Sequence, residues 1–165
     1  MMRADDAMTA GWIAVMRAVE TSRRAPLSAR HALHAAVLID QLSDLAFTGR
    51  TDLPLPLLAT AGDILSFRAA LRSSDPALGR LIDLTACGPD APRLQVLAEA
   101  VAPDGFERLA VADLMVSLYN AGRVPRLMLV QPDETRLPMQ DLLQQATSWW
   151  RATLGPRPAP ASSSA

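Results

Sequence analysis

Seven aromatic side chains in 165 residues, three Trp, three Phe and one Tyr, constrain this chain most, because half of its residues are apolar and Leu, Ala and Val must then fill the interior. Large sheets favour β-branched and aromatic side chains, whereas Leu and Ala pack helices closely. The expected fold is therefore helix-rich. A chain of this length is one domain by the usual measure, long enough to remove roughly 70% of its unfolded surface from water.

A formal charge of −1, with basic residues scattered along the chain, gives no field to attract a polyanion, so nucleic acid is not an expected partner. All sixteen basic side chains are arginine. Without lysine, Schiff-base chemistry and a phosphate-loop lysine are both ruled out. That usage, with the abundant alanine, reads as a GC-rich bacterial coding bias. The single cysteine, Cys87, can make neither an internal disulfide nor a thiolate zinc site, which fits a reducing compartment. Asp5 and Asp6 stand where a signal peptide carries positive charge, and Arg17 and Glu20 interrupt the apolar run that follows. No stretch approaches the ~20 apolar residues of a membrane span, so the expectation is a soluble cytoplasmic protein without membrane partners.

Met8, Trp12, Val15 and Val19 recur at steps of four and three, which predicts a helix over 4–22, weakened in its first half by Gly11. The stretch "RRAPLS" ends it. Ser28 is a suitable N-cap for a second helix and Gly49 a suitable stop. This second helix carries both histidines. At about 100° per residue, His31, Ala35, Leu38, Leu42 and Leu45 form one stripe with His34 at its edge, while Asp40 and Asp44 fall on the far side beside Leu33, Val37 and Phe47. The carboxylates therefore cannot meet the imidazoles at one ion without ligands from another element. Histidines packed at a helix interface are the simpler reading, and the double apolar face implies a sandwiched helix.

Residues 57–72 fit a helix through Leu57, Leu58, Ala61, Ile64, Leu65 and Leu71, although 63–70 fit a short strand nearly as well. Asp75 as N-cap and Pro76 at the first helical position open another helix, with Leu78, Leu81 and Ile82 inward and Gly88 and Pro89 as the stop. Residues 93–101 are ambiguous between helix and strand. Val111, Leu114, Met115 and Leu118 predict a helix closed by Gly122, and "RVPRLMLVQPDETRLPM" predicts two strands joined at a Pro-Asp turn. A lone hairpin is marginal in water, and 93–101 are the best source of a third strand. A last helix over 139–154 places Met139, Leu142, Leu143, Ala146 and Trp150 on one face. The tail 155–165, "GPRPAPASSSA", reads as disordered with some polyproline character.

From residue 75 onward the predicted order is helix, strand, helix, strand, strand, helix, with "YNAGRVPRLMLVQPDE" opening the fourth element. This resembles the C-terminal half of a thioredoxin fold, in which a tyrosine closes a helix, a Val-Pro pair with a cis bond opens an apolar strand, and an acidic turn leads to an edge strand. Tyr119, Val124, Pro125, Leu127 to Val130, Asp133 and Glu134 occupy those places. The resemblance implies an α/β, helix-rich architecture: an α-helical part, 1–50, followed by a small β-α-β-β-α thioredoxin-like part, 51–154. An all-α bundle with one hairpin is the alternative. Where the family carries Cys-x-x-Cys at a helix N-terminus, this chain has "RSSDP", so dithiol–disulfide exchange is excluded. Cys87, at the other end of that helix, does not replace it and reads as an inert, partly buried residue.

Ser73 and Ser74 sit near a helix N-terminus without a histidine base nearby, and capping explains them. The resemblance makes the surface around Ser73, Ser74, Val124 and Pro125 a groove for an extended peptide. Trp149, beside the inward Trp150, is either an interface anchor or a cover for the core edge. No residue set fits catalysis, a metal or a cofactor: the acidic residues lack calcium-loop spacing, and no phosphate loop is present. The expected function is that of a bacterial, non-enzymatic, cytoplasmic accessory or adaptor protein that holds an unidentified protein partner, self-association as a homodimer included. The alternative is an enzyme or small-molecule or metal binder with a pocket between the helical part and the sheet, lined by His31, His34 and Arg123.

Overall fold

A computed structural model describes residues 4–49, 56–102, 105 and 109–155. The first helix, α1, spans Ala4–Arg24 and closes on Arg23 and Arg24, whose charge suits the carbonyl end of the helix. Both pair with Glu20, at 3.3 and 3.0 Å. The expected stripe of Met8, Trp12, Val15 and Val19 is buried. Helix α2, Ala29–Thr48, starts where the sequence implies: the Ser28 hydroxyl accepts from the His31 N–H at 3.3 Å, and Gly49 closes the other end.

Helix α2 is sandwiched, with α1 on one side and later helices on the other. Ala32, Ala35, Ala36 and Ala46 line its buried surface, and their short side chains let the neighbouring backbones approach. Gly11 has its use here. A Cβ at that position would lie 2.5 Å from Leu45 Cδ1 and 3.3 Å from Leu42 Cδ2, both free ends of flexible side chains. The Gly11→Ala variant is expected to be close to neutral in urea unfolding, because a helix-propensity gain of about 1 kcal/mol offsets the displaced leucines. Gly11→Val, with two further carbons to house, should cost about 1–3 kcal/mol.

Two short helices follow in place of the single one expected over 57–72: α3, Pro56–Thr60, and α4, Ile64–Ser74. Asp63 divides them. Its side chain accepts from the Ser66 N–H at 2.7 Å while the Ser66 hydroxyl faces the Asp63 N–H at 3.1 Å, a reciprocal capping box. The Ser66 N–H holds the Asp63 carboxyl below its ordinary range. This box decides residues 63–70 against the strand alternative, since it satisfies the helix's first donors locally.

Asp75 ends α4 and caps α5, Pro76–Thr85, with Oδ1 accepting from the N–H groups of Ala77 and Leu78. Its Oδ2 accepts from Gln145 at 3.2 Å. Helix α5 stops before the Gly88 and Pro89 expected to end it, and Cys87 follows at φ 50, exposed rather than partly buried.

The remaining elements are β1 (Arg93–Ala100), α6 (Val111–Tyr119), β2 (Arg123–Val130), β3 (Arg136–Pro138) and α7 (Met139–Leu154). Residues 93–100 are thus a strand, as the marginal hairpin required, and the chain is α/β rather than an all-α bundle. The sheet order is β1-β2-β3, antiparallel throughout, with Leu94 opposite Leu129, Val96 opposite Leu127 and Leu137 opposite Leu129.

Direct partners in an antiparallel pair share a face. Leu127 and Leu129 of β2 face the helical core, whereas Val124, Met128 and Val130 on the other face are buried outside it. Helix α7 packs on β2, β3, α2 and α5 and buries Met139, Leu142, Leu143, Ala146 and Trp150, the face expected from the sequence. Gly155, at φ 72, ends it in a conformation only glycine adopts readily. The buried residues of α1 and α2 and those of α4, α5, β2 and α7 form one cluster, so the parts 1–50 and 51–154 share a core. Beyond Gly155, the tail lies outside the described residues. Among those described, no helix is long and apolar enough to cross a membrane.

Candidate interaction surface

Among the described helices of more than five residues, α6 has the least polar sequence, "VADLMVSLY", with one charge and apolar residues on every side. Whichever side it packs, another is left in water. Arg126 of β2 and Asp113 set the choice, paired at 2.9 Å and half-buried, which ties α6 to the sheet face away from the core. Ser117 is the buried residue of the helix, its hydroxyl donating to the Leu114 carbonyl at 2.7 Å. The outward stripe is Val111, Met115, Leu118 and Tyr119, exposed to 79%, 50%, 68% and 84%. The periodicity that predicts this helix holds, but its stripe does not face the core. The all-round apolarity of the segment is the signal that marks an uncovered side.

The residues singled out from the sequence are not brought together. Ser73 and Ser74 belong to the last turn of α4 rather than to the start of α5, and their hydroxyls donate to the carbonyls of Ala69 and Leu71. Val124 is buried and offers no surface to a peptide. Pro125 lines a cleft of about 420 Å³ between the α1–α2 turn and the sheet, with Pro26, Leu27, Leu127, Pro138 and Gln140. Neither serine lines this cleft. The Val124–Pro125 peptide bond is trans, as are all others among the described residues, unlike the pattern of the family resembled. Trp149 is half-buried against the core edge, set edge-on to Trp150 with ring centroids 5.2 Å apart.

His31 and His34 line a shallow cleft between α1 and α2 with Ala14, Arg17, Ala18, Thr21 and Leu38. Arg123 lines a different cleft, beside Leu97, Glu99, Met128 and Arg136, so the three do not form one pocket. Among the described residues no carboxylate lines the histidine cleft. Asp40 and Asp44 lie elsewhere on α2, both accepting from Arg68 Nη2 at 3.2 Å, and Asp40 also from the Thr85 hydroxyl at 3.2 Å. Burial pushes the Asp40 carboxyl above its ordinary range, against the opposing pull of Arg68 and Thr85. Among the described residues no three of His, Cys, Asp and Glu are placed to hold a metal ion.

Architecture and surface together define a helix-rich α/β protein whose small antiparallel sheet carries an outlying helix with an uncovered apolar side. Comparison with protein-family models, curated proteins and solved structures finds no match to this chain.

Proposed function

We propose that this chain is a non-enzymatic cytoplasmic adaptor, redox-inactive and thioredoxin-like in its C-terminal part, that holds a protein partner against the outward stripe of α6. One observation carries the reading: Val111, Met115, Leu118 and Tyr119 stand exposed on a single face of a nine-residue helix. Isolated exposed apolar residues are ordinary, but a contiguous set containing Tyr and Met is the composition of interface cores. The thioredoxin-like part of the reading draws support from the element order β1-α6-β2-β3-α7, with Val124-Pro125 near the start of β2 and Asp133 in the turn after it. The trans Val124–Pro125 bond counts against it.

The test compares the full chain with a Val111→Ser/Leu118→Ser/Tyr119→Ser variant. Exposed substitutions of this kind should leave the melting temperature nearly unchanged. Affinity for a captured partner should fall by about thirtyfold or more, as expected when a hot-spot cluster is removed. Unchanged capture, or specific turnover of a thiol, ester or phosphate substrate by the purified protein, would refute the reading. A second reading rests on His31, whose Nδ1 is buried without a partner among the described residues beside a cleft shared with His34 and Arg17. Added inorganic phosphate should then shift both imidazole resonances in NMR, and resonances that do not respond to it would end that alternative.

A further inference from the structure

We infer that the free edge of β1 pairs with β1 of a second copy of this chain, antiparallel about a two-fold axis through Val96. Strand β1 is the outermost strand of the sheet and pairs only with β2 among the described residues. Edge strands are normally blunted by proline, lysine, a bulge or a covering segment. Between Arg93 and Ala100 there is no proline, the register with β2 is unbroken, the two charges Arg93 and Glu99 stand near the ends, and Val96 at the centre is 47% exposed.

The hydrogen-bonding groups on this edge follow from the ladder. The Val101 N–H donates to the Gly122 carbonyl at 2.8 Å, so residues of that parity point their backbone groups at β2. Alternation then turns the N–H and C=O of Leu94, Val96, Ala98 and Ala100 outward. A second β1 meets them in full: Val96 pairs with its own copy and Leu94 with Ala98, each pair exchanging both hydrogen bonds. Pro92, which has no N–H, ends the ladder.

Charge selects the register. Direct partners must share a face, which leaves two-fold centres on individual residues. Centred on Val96, Arg93 lies opposite Glu99 of the other copy, twice, and no like charges meet. Centred on Gln95, Arg93 faces Leu97; centred on Leu97, Arg93 faces Val101 and Glu99 faces Gln95, so neither neighbouring register forms an ion pair. Arg93 already holds Glu134 through one nitrogen, at 3.0 and 3.1 Å, and its exposed guanidinium keeps donors for a second carboxylate. The product is a continuous six-stranded sheet with both α6 helices on the same face. The surface proposed for the partner stays open in this arrangement, and pairing through β1 does not depend on that partner.

Sedimentation of the full chain over a concentration series tests the pairing. The native protein should be a dimer, and Val96→Lys, which sets two like charges on the axis, a monomer with an unchanged circular dichroism spectrum. Glu99→Arg should raise the dissociation constant about tenfold, the worth of two exposed cross-strand charge pairs. Adding Arg93→Glu to Glu99→Arg should restore dimerisation, which neighbouring registers do not predict. A native protein that is monomeric at all concentrations, or a dimer indifferent to Val96→Lys, would overturn the inference. The Val111→Ser/Leu118→Ser/Tyr119→Ser variant should remain dimeric, so failure of the partner reading and failure of this one give different results.

Discussion

Trp150→Ala should lower the stability of this protein by about 3–5 kcal/mol, the cost of deleting a fully buried large aromatic side chain. Trp150 has no exposed surface and lies among the largest side chains of the core, so its removal leaves a cavity that the half-buried Trp149 beside it, 5.2 Å away between ring centroids, fills only in part. For a domain of this size that corresponds to a fall in melting temperature of roughly 6–20 °C. Thermal unfolding followed by circular dichroism measures it. The indole Nε1 has no hydrogen-bond partner among the described residues, so Trp150→Phe sacrifices volume without breaking a bond. That variant should lose less than half as much. Equal losses for Phe and Ala would show that the indole nitrogen has a role the packing does not reveal.

The second large effect is expected at Arg68. Its guanidinium joins α4 to α2 by contacting Asp40 and Asp44, and both Arg68 and Asp40 are mostly buried. Removing one partner of such a pair leaves the other as an uncompensated charge. Arg68→Ala should cost about 2–3 kcal/mol at neutral pH, below the full penalty of a completely buried pair because some solvent reaches both groups.

The pH dependence has a definite sign. Burial already raises the folded-state pKa of Asp40 above its unfolded value, and loss of Arg68 raises it further. Between the two values the folded state binds more protons, so stability falls as pH rises through that window. The cost of Arg68→Ala should therefore be smaller near pH 4, close to the unfolded value of a carboxyl, than near pH 7. Urea unfolding of the native protein and the variant at both pH values gives the comparison. Adding Asp40→Asn to Arg68→Ala should recover part of the neutral-pH loss. A pH-independent cost with no recovery would mean that Arg68 acts through its alkyl packing alone.

Much of this fold is written in local chemistry. Ser28, Asp75 with Pro76, and Gly155 mark helix ends because their side chains or backbone freedom satisfy or terminate a helix within a few residues. Sequence periodicity places Trp150 inward and Trp149 at its flank, and the same periodicity sets Asp40 and Asp44 apart from the two histidines. None of these depends on a distant contact. The strand at 93–100 is legible only indirectly, through the need of a short hairpin for a third strand, because its apolar residues fit both periods.

The split of 57–72 at Asp63 is local as well, a capping box that outweighs an apolar stripe continuing across the break. Tertiary structure alone decided two matters. It buried Val124 and separated Ser74 from Pro125, since the distance between two surface residues depends on how helices cross. It also turned Val111, Met115, Leu118 and Tyr119 of α6 to solvent. A helix that is apolar all round contains no information about which side will be covered; the half-buried Arg126–Asp113 pair supplies it, and that pair forms only once β2 is in place.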